Sequence, residues 1–182
     1  MLGRILPTAA LVFASVAAWA QSLTPAQLTA LRTNILASEL AAKCVGFGDG
    51  PFDIAAAYNL PASPAFVVRR TSVETREIGP VLNYVAAANL TTANRDRATT
   101  FVMLNPGSFT PTADVEAYWA ETFSGALGGQ GQATRDALAN LWRRNVTRFE
   151  RVFATGTGTT ASPGALVVEG AVSPDVVRQA CQ

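Results

Sequence analysis

The sequence predicts a predominantly helical α+β fold: one compact domain over residues 23–182, with a small two- or three-stranded β element near its C-terminal half. Three observations carry that expectation. Successive segments open on N-capping residues and repeat apolar residues every three or four positions. Only two stretches are rich in β-branched residues. The chain of 182 residues is 49% hydrophobic and 15% charged, enough to bury a core that folds without staples.

Residues 1–20 precede this domain. Arg4 stands before an apolar stretch from Ile5 to Val16, and Ala18 and Ala20 have the spacing of a signal-peptidase site. The leader therefore reads as a secretory signal or as an extension upstream of a misassigned start. It is too short, and too interrupted by Pro7, for a stable membrane span.

Each element then follows from local signals. "LTPAQLTALRTNIL" supplies Thr24 as N-cap, Pro25 at the first helical position and Gln27 to complete a capping box. Leu28, Leu31 and Ile35 share one face, so a helix is expected from Leu23 to about Lys43. A loop at "GFGDGP" leads to a short helix over "FDIAAAYNL", and "PASPAF" forces extended backbone. "FVVRRTSV", Phe66 to Val73, reads as an edge strand because Arg69 and Arg70 interrupt it. "ETREIGPVLNYVAAANL" and "TTANRDRATTFVMLN" are helical in composition, Pro80 breaking the first, and "NPGSFTPT" is a turn cluster. Asp114 to Phe123 reads as a helix. The four glycines of "GALGGQGQ", Gly125 to Gln132, then mark a hinge or loop. Leu138, Trp142, Phe149 and Val152 recur at spacings of four, seven and three, so Thr134 to Phe153 reads as one helix. "ALVVEGAV" is the second strand, and the β element is expected from Phe66–Arg70 and Ala165–Glu169. Ser173 and Pro174 open a last helix.

Charge and residue usage then exclude function classes. A formal net charge of +1 provides no global field for nucleic acid or anionic lipid. Histidine is absent, which removes the commonest general base and metal ligand. Cys44 and Cys181 are too few for a structural zinc site and too far apart for a redox pair. They read either as one disulfide of an oxidising compartment, contributing about 4 kcal/mol, or as two small core residues in cytosol. The carboxylate pairs Glu74 with Glu77 and Asp114 with Glu116 sit at helix starts, where exposed amides favour negative charge. No catalytic residue, cofactor-binding residue or metal ligand is assigned.

Two features remain. "ATGTGTTASPGALVVEG", Ala154 to Gly170, is rich in glycine and hydroxyls, yet it follows a helix, precedes a strand and contains no Lys, unlike a phosphate-binding loop. It reads as a turn, with Gly156 as a left-handed helix cap and Pro163 and Gly164 turning the chain. Arg144, Arg148 and Arg151, with Arg143 beside them, fall at spacings that share one helical face. That stripe is the candidate partner surface; its rival reading is a solvated face partly paired with Glu150. No aromatic platform accompanies it, so no specific nucleic acid is expected.

The segments "LTPAQLTALR", "FVVRRTSV" and above all "RRNVTRFERVFATGTGTTASPGALVVEGAVSPDVV" resemble a family of small uncharacterised proteins encoded among the virion morphogenesis genes of tailed bacteriophages. The resemblance runs from about Leu23 to Val177 and is most specific over Arg144 to Gly170. "VVRRT" stands where an aromatic before a single Arg is expected, and "SPDV" where an aromatic follows the Ser. The resemblance implies a non-enzymatic virion or assembly component, neck or tail associated and assembled in the host cytoplasm, with other phage structural proteins as partners and self-association left open. The alternative is an exported protein, periplasmic or secreted, that binds a small ligand or a protein. No cofactor is expected on either reading.

Overall fold

In a computed structural model, residues 22–45, 48–124 and 128–182 are described, so the leader and parts of both "GFGDGP" and "GALGGQGQ" lie outside the described residues. Helix α1 spans Pro25–Leu36 and starts as its sequence predicts. Gln27 N donates to Thr24 Oγ1 at 3.3 Å, and Gln27 Oε1 accepts from Thr24 N at 2.8 Å. The helix stops well short of Lys43. Ser38 Oγ donates to the Ile35 carbonyl at 2.7 Å and accepts from Leu40 N at 3.2 Å, which competes with the helical ladder and turns the chain into α2, Ala41–Val45.

Helix α3 (Gly50–Tyr58) leads to strand β1 (Val67–Arg69) and the two-residue strand β2 (Val73–Glu74). A 3-10 turn over Thr75–Glu77 and the short helices α4 (Ile78–Val81) and α5 (Tyr84–Ala88) follow. Helix α6 spans Thr92–Leu104 under a Thr91 cap, and α7 spans Ala113–Thr122 under a Thr112 cap. Between them the turn cluster holds a strand the sequence reading omits: β3, Ser108–Phe109, pairs antiparallel with β2.

The predicted helix from Thr134 to Phe153 is three elements. Helix α8 runs Gly128–Leu141, strand β4 Arg143–Asn145, and helix α9 Arg148–Val152. Two interactions cut the periodic stripe. β4 pairs antiparallel with β1, setting Val68 opposite Arg144 and Arg69 opposite Arg143. Thr147 then restarts the helix as an N-cap, in a capping box with Glu150. The apolar stripe is also split between cores, Leu138 and Trp142 lying in one and Phe149 in another. Gly128 to Gln132, read as part of a loop, form the first turns of α8, which packs against α4, α5 and α7.

The β element is likewise rearranged. Strand β6 contains only Ala165 and Leu166 and pairs with β5, Ala154–Thr155. β1 meets this second ribbon through one parallel bridge, Val68 to Gly164, where Gly164 N donates to the Val67 carbonyl at 2.8 Å. Helix α10, Pro174–Cys181, closes the chain, with Val176 N donating to the Ser173 hydroxyl at 3.3 Å.

The protein is thus mainly helical, with three short antiparallel ribbons among the described residues. One core gathers α1, α2, α3, α9 and α10 around Leu31, Ile35, Tyr58, Phe149 and Val177. A second is aromatic, with Phe109 edge-on to Trp142 at 5.4 Å and Trp119 stacked on Phe123 at 6.1 Å. A smaller cluster of Ala62, Phe66, Val68 and Val146 underlies β1 and β4. Cys44 of α2 and Cys181 of α10 form a disulfide, with Cα atoms 5.3 Å apart across 137 residues of sequence. Among the described residues, no helix is long and apolar enough to cross a membrane.

Candidate functional site

The three arginines of the predicted stripe do not share a helical face. Arg144 lies on β4, and only Arg148 and Arg151 lie on α9, because Thr147 begins a new helix between them. Each guanidinium has a different surrounding.

Arg144 closes an internal clasp. Its two terminal nitrogens donate to Glu150 Oε2 and Oε1, both at 2.8 Å, and one donates also to Glu169 Oε1 at 2.8 Å. Glu150 is only 2% exposed. Its oxygens also accept from Thr147 N at 2.9 Å and Gly170 N at 2.8 Å. Burial pushes the Glu150 carboxyl upward in pKa, but Arg144 and the two amides outweigh it, and the net shift is downward. Glu150 in turn leads the causes that raise Arg144 above its ordinary value. A carboxylate held ionised in this way has no proton to give at neutral pH. It ties β4, the start of α9 and the Glu169–Gly170 turn to one point.

Arg148 reaches across the fold to Glu39, with contacts of 2.5 and 3.2 Å, and its guanidinium carbon lies 4.8 Å over the Tyr58 ring. The Arg148 hydrogen bond holds the Glu39 carboxyl down to about 2. Burial raises the Tyr58 phenol, whose hydroxyl donates to Asn34 Oδ1 at 2.7 Å. Arg151 is exposed and makes no ion pair among the described residues; its guanidinium carbon lies 4.0 Å over the Phe66 ring.

The carboxylate pairs do stand at helix starts. Glu77 accepts from Glu74 N at 2.9 Å at the head of the 3-10 turn, and Asp114 and Glu116 occupy the first turn of α7. They also answer arginines. Glu77 takes both terminal nitrogens of Arg70, at 2.8 and 3.1 Å, which leads the causes lowering its pKa. Glu116 sits between Arg69 and Arg143, each at 3.1 Å. Among the described residues, no three of His, Cys, Asp and Glu come together as a metal site.

The glycine- and threonine-rich stretch is a turn, though Gly156 does not cap a helix. α9 ends at Val152 and β5 intervenes, so Gly156, at φ +89°, opens the loop between β5 and β6. Gly158, at φ +64°, lets the loop lie on Phe66: a Cβ there would fall 2.0 Å from a ring carbon. The loop's polar groups bind one another. Thr157 Oγ1 donates to the Ser162 carbonyl at 2.9 Å, Thr159 Oγ1 accepts from Ser162 N at 3.0 Å, and the Gly158 carbonyl accepts from Val67 N at 2.7 Å.

Glu39, Tyr58, Phe66 and Glu169 belong to these arrangements, yet the sequence gives none of them a site role, since each meets its arginine only through the fold. Glu150 had a local signal, the capping box in "TRFE". Fold and polar clusters together define a small mainly helical α+β domain whose arginines are largely devoted to internal ion pairs. Comparison of the chain with protein-family models, curated proteins and solved structures finds no match.

Proposed function

We propose that the chain is a non-enzymatic component of a tailed-bacteriophage particle or of its assembly, neck or tail associated, that works by docking against other proteins of the particle. The observation that carries this reading is α6. No residue of this 13-residue helix is buried, and it ends on Val102, Met103 and Leu104, exposed by 41, 74 and 76%. Beside it runs a groove of about 570 Å³ lined largely by apolar side chains, among them Ile78, Leu82 and Val102. Val102 and Met103 both line this groove, and exposed apolar side chains gathered in this way on a small domain mark an interaction surface. The resemblance over Arg144 to Gly170 supports the same reading: within that segment Arg144, Glu150, Glu169 and the Thr157–Ser162 loop groups bind one another.

The reading is tested by inducing particles from the cells that encode the chain and following it with an antibody through a density gradient. Co-sedimentation with particles is expected. The double substitution Met103→Glu, Leu104→Glu should lower incorporation while leaving the melting temperature unchanged. A protein recovered instead in the osmotic-shock fluid, with none on particles, would overturn the proposal. That outcome would favour a second reading, an exported protein that binds a small ligand or a protein, for which one observation speaks: the Cys44–Cys181 disulfide suits an oxidising compartment.

A further inference from the structure

A cleft of about 560 Å³ opens between the turn after α1, the Ser63–Pro64 loop and α9. Asn34, Ser38, Glu39, Ser63, Arg148 and Arg151 supply its polar lining. Its two guanidinium groups each lie on an aromatic ring, Arg148 on Tyr58 and Arg151 on Phe66. Stacking holds the plane of a guanidinium and leaves the N–H edge available to donate. Only one of the two charges is answered. Arg148 gives both terminal nitrogens to Glu39, whereas Arg151 makes neither an ion pair nor a side-chain hydrogen bond among the described residues. The Ser63 hydroxyl likewise makes no hydrogen bond among the described residues, while that of Ser38 both donates and accepts.

We propose that this cleft binds a carboxylate, received by the edge of Arg151 beside the Arg148–Glu39 pair. The charge count selects the ligand. Two guanidinium groups against one carboxylate leave a single positive charge unanswered, which a monoanion neutralises. A phosphate dianion would overcompensate it and meet the ionised Glu39 at the same rim. The planar fork of an arginine also matches the two oxygens of a carboxylate. The carboxylate belongs either to a free small acid or to an acidic side chain of a partner protein; only the second source rests on the docking reading above.

The test uses the full chain with its disulfide formed, observed through its arginine Nε–H resonances while sodium acetate, an acetyl-aspartyl peptide amide and inorganic phosphate are titrated separately. The Arg151 resonance should move with both carboxylates. Arg151→Gln should weaken their binding roughly tenfold or more, as loss of a charge-assisted contact does, with only the small drop in melting temperature expected from losing the Phe66 contact. Glu39→Gln should tighten carboxylate binding and admit phosphate, because it releases the Arg148 fork. Saturation by acetate with no gain from the peptide assigns a small acid, and tighter binding of the peptide assigns a protein's acidic side chain; both support the site. An Arg151 resonance unmoved by either acid, or phosphate bound more tightly than acetate by the unmodified chain, overturns it. Should Arg151→Gln fail to fold, Glu39→Gln decides: unchanged or weaker carboxylate binding refutes the proposal. None of these measurements involves particles, so failure here leaves the docking reading standing, and the reverse.

Discussion

Replacing Glu150 by Gln keeps the shape of the clasp and removes its charge. Each carboxylate oxygen of Glu150 accepts two hydrogen bonds, Oε1 from Arg144 and Gly170 and Oε2 from Arg144 and Thr147. An amide nitrogen in either place would set donor against donors and forfeit two of the four. At roughly 1.5–3 kcal/mol for a bond to a charged group, the loss is about 3–6 kcal/mol. The lower end applies, because Arg144 keeps Glu169 and its side chain is 28% exposed, so water can replace part of what is lost. A loss of about 3 kcal/mol lowers the melting temperature of a domain this size by about 6–12 °C. The pH dependence supplies a second signature. The folded carboxyl lies below its ordinary value of 4.5, so its contribution is complete above that pH and is lost as pH falls through the folded value. The gap between wild-type and variant melts should therefore narrow in acid. Glu169→Gln, at a side chain 39% exposed, should cost no more than about 1 kcal/mol. Paired melts of the three proteins across pH make the comparison. A Glu150→Gln variant within about 1 kcal/mol of wild type at neutral pH would refute the clasp as a stabilising feature.

The disulfide and the Gly158 contact give two further tests. Opening the bond between Cys44 and Cys181, which spans 137 residues, should cost about 4–5 kcal/mol on chain-entropy grounds and lower the melting temperature by about 8 °C or more, measured by melts with and without reductant. Gly158→Ala should cost about 2 kcal/mol or more, because its Cβ would strike the Phe66 ring at a positive φ, whereas Gly79→Ala, where nothing lies within 4 Å, should not show this penalty; urea unfolding distinguishes them.

The elements that were legible in the sequence are those whose start is encoded next to them. Thr24 with Gln27 announces α1 and Ser173 with Pro174 announces α10, because a cap acts over three residues. The segment from Thr134 to Phe153 misled because its apolar spacing fits a helix while its residues serve two cores, and its break is set by pairing with a strand some 75 positions earlier. Thr147 and Glu150 carried the local sign of that break. Gly128 to Gln132 became helix against their propensity because α8 is held by its neighbours. The arginines were legible as charges but their partners were not. Glu39 is 109 positions from Arg148, and no spacing rule reaches that far.

The pairing of α2 with the last helix also makes most of the chain a covalent ring. A protease that cuts once anywhere between Cys44 and Cys181 produces two pieces that stay joined, so the cut molecule migrates as one on a non-reducing gel and separates only after reduction. The loop from Gly156 to Ser162, exposed except at Gly158, lies inside that ring, so a cut there leaves α9 and α10 in the same molecule, each still seated in the core they share with α1 and α3.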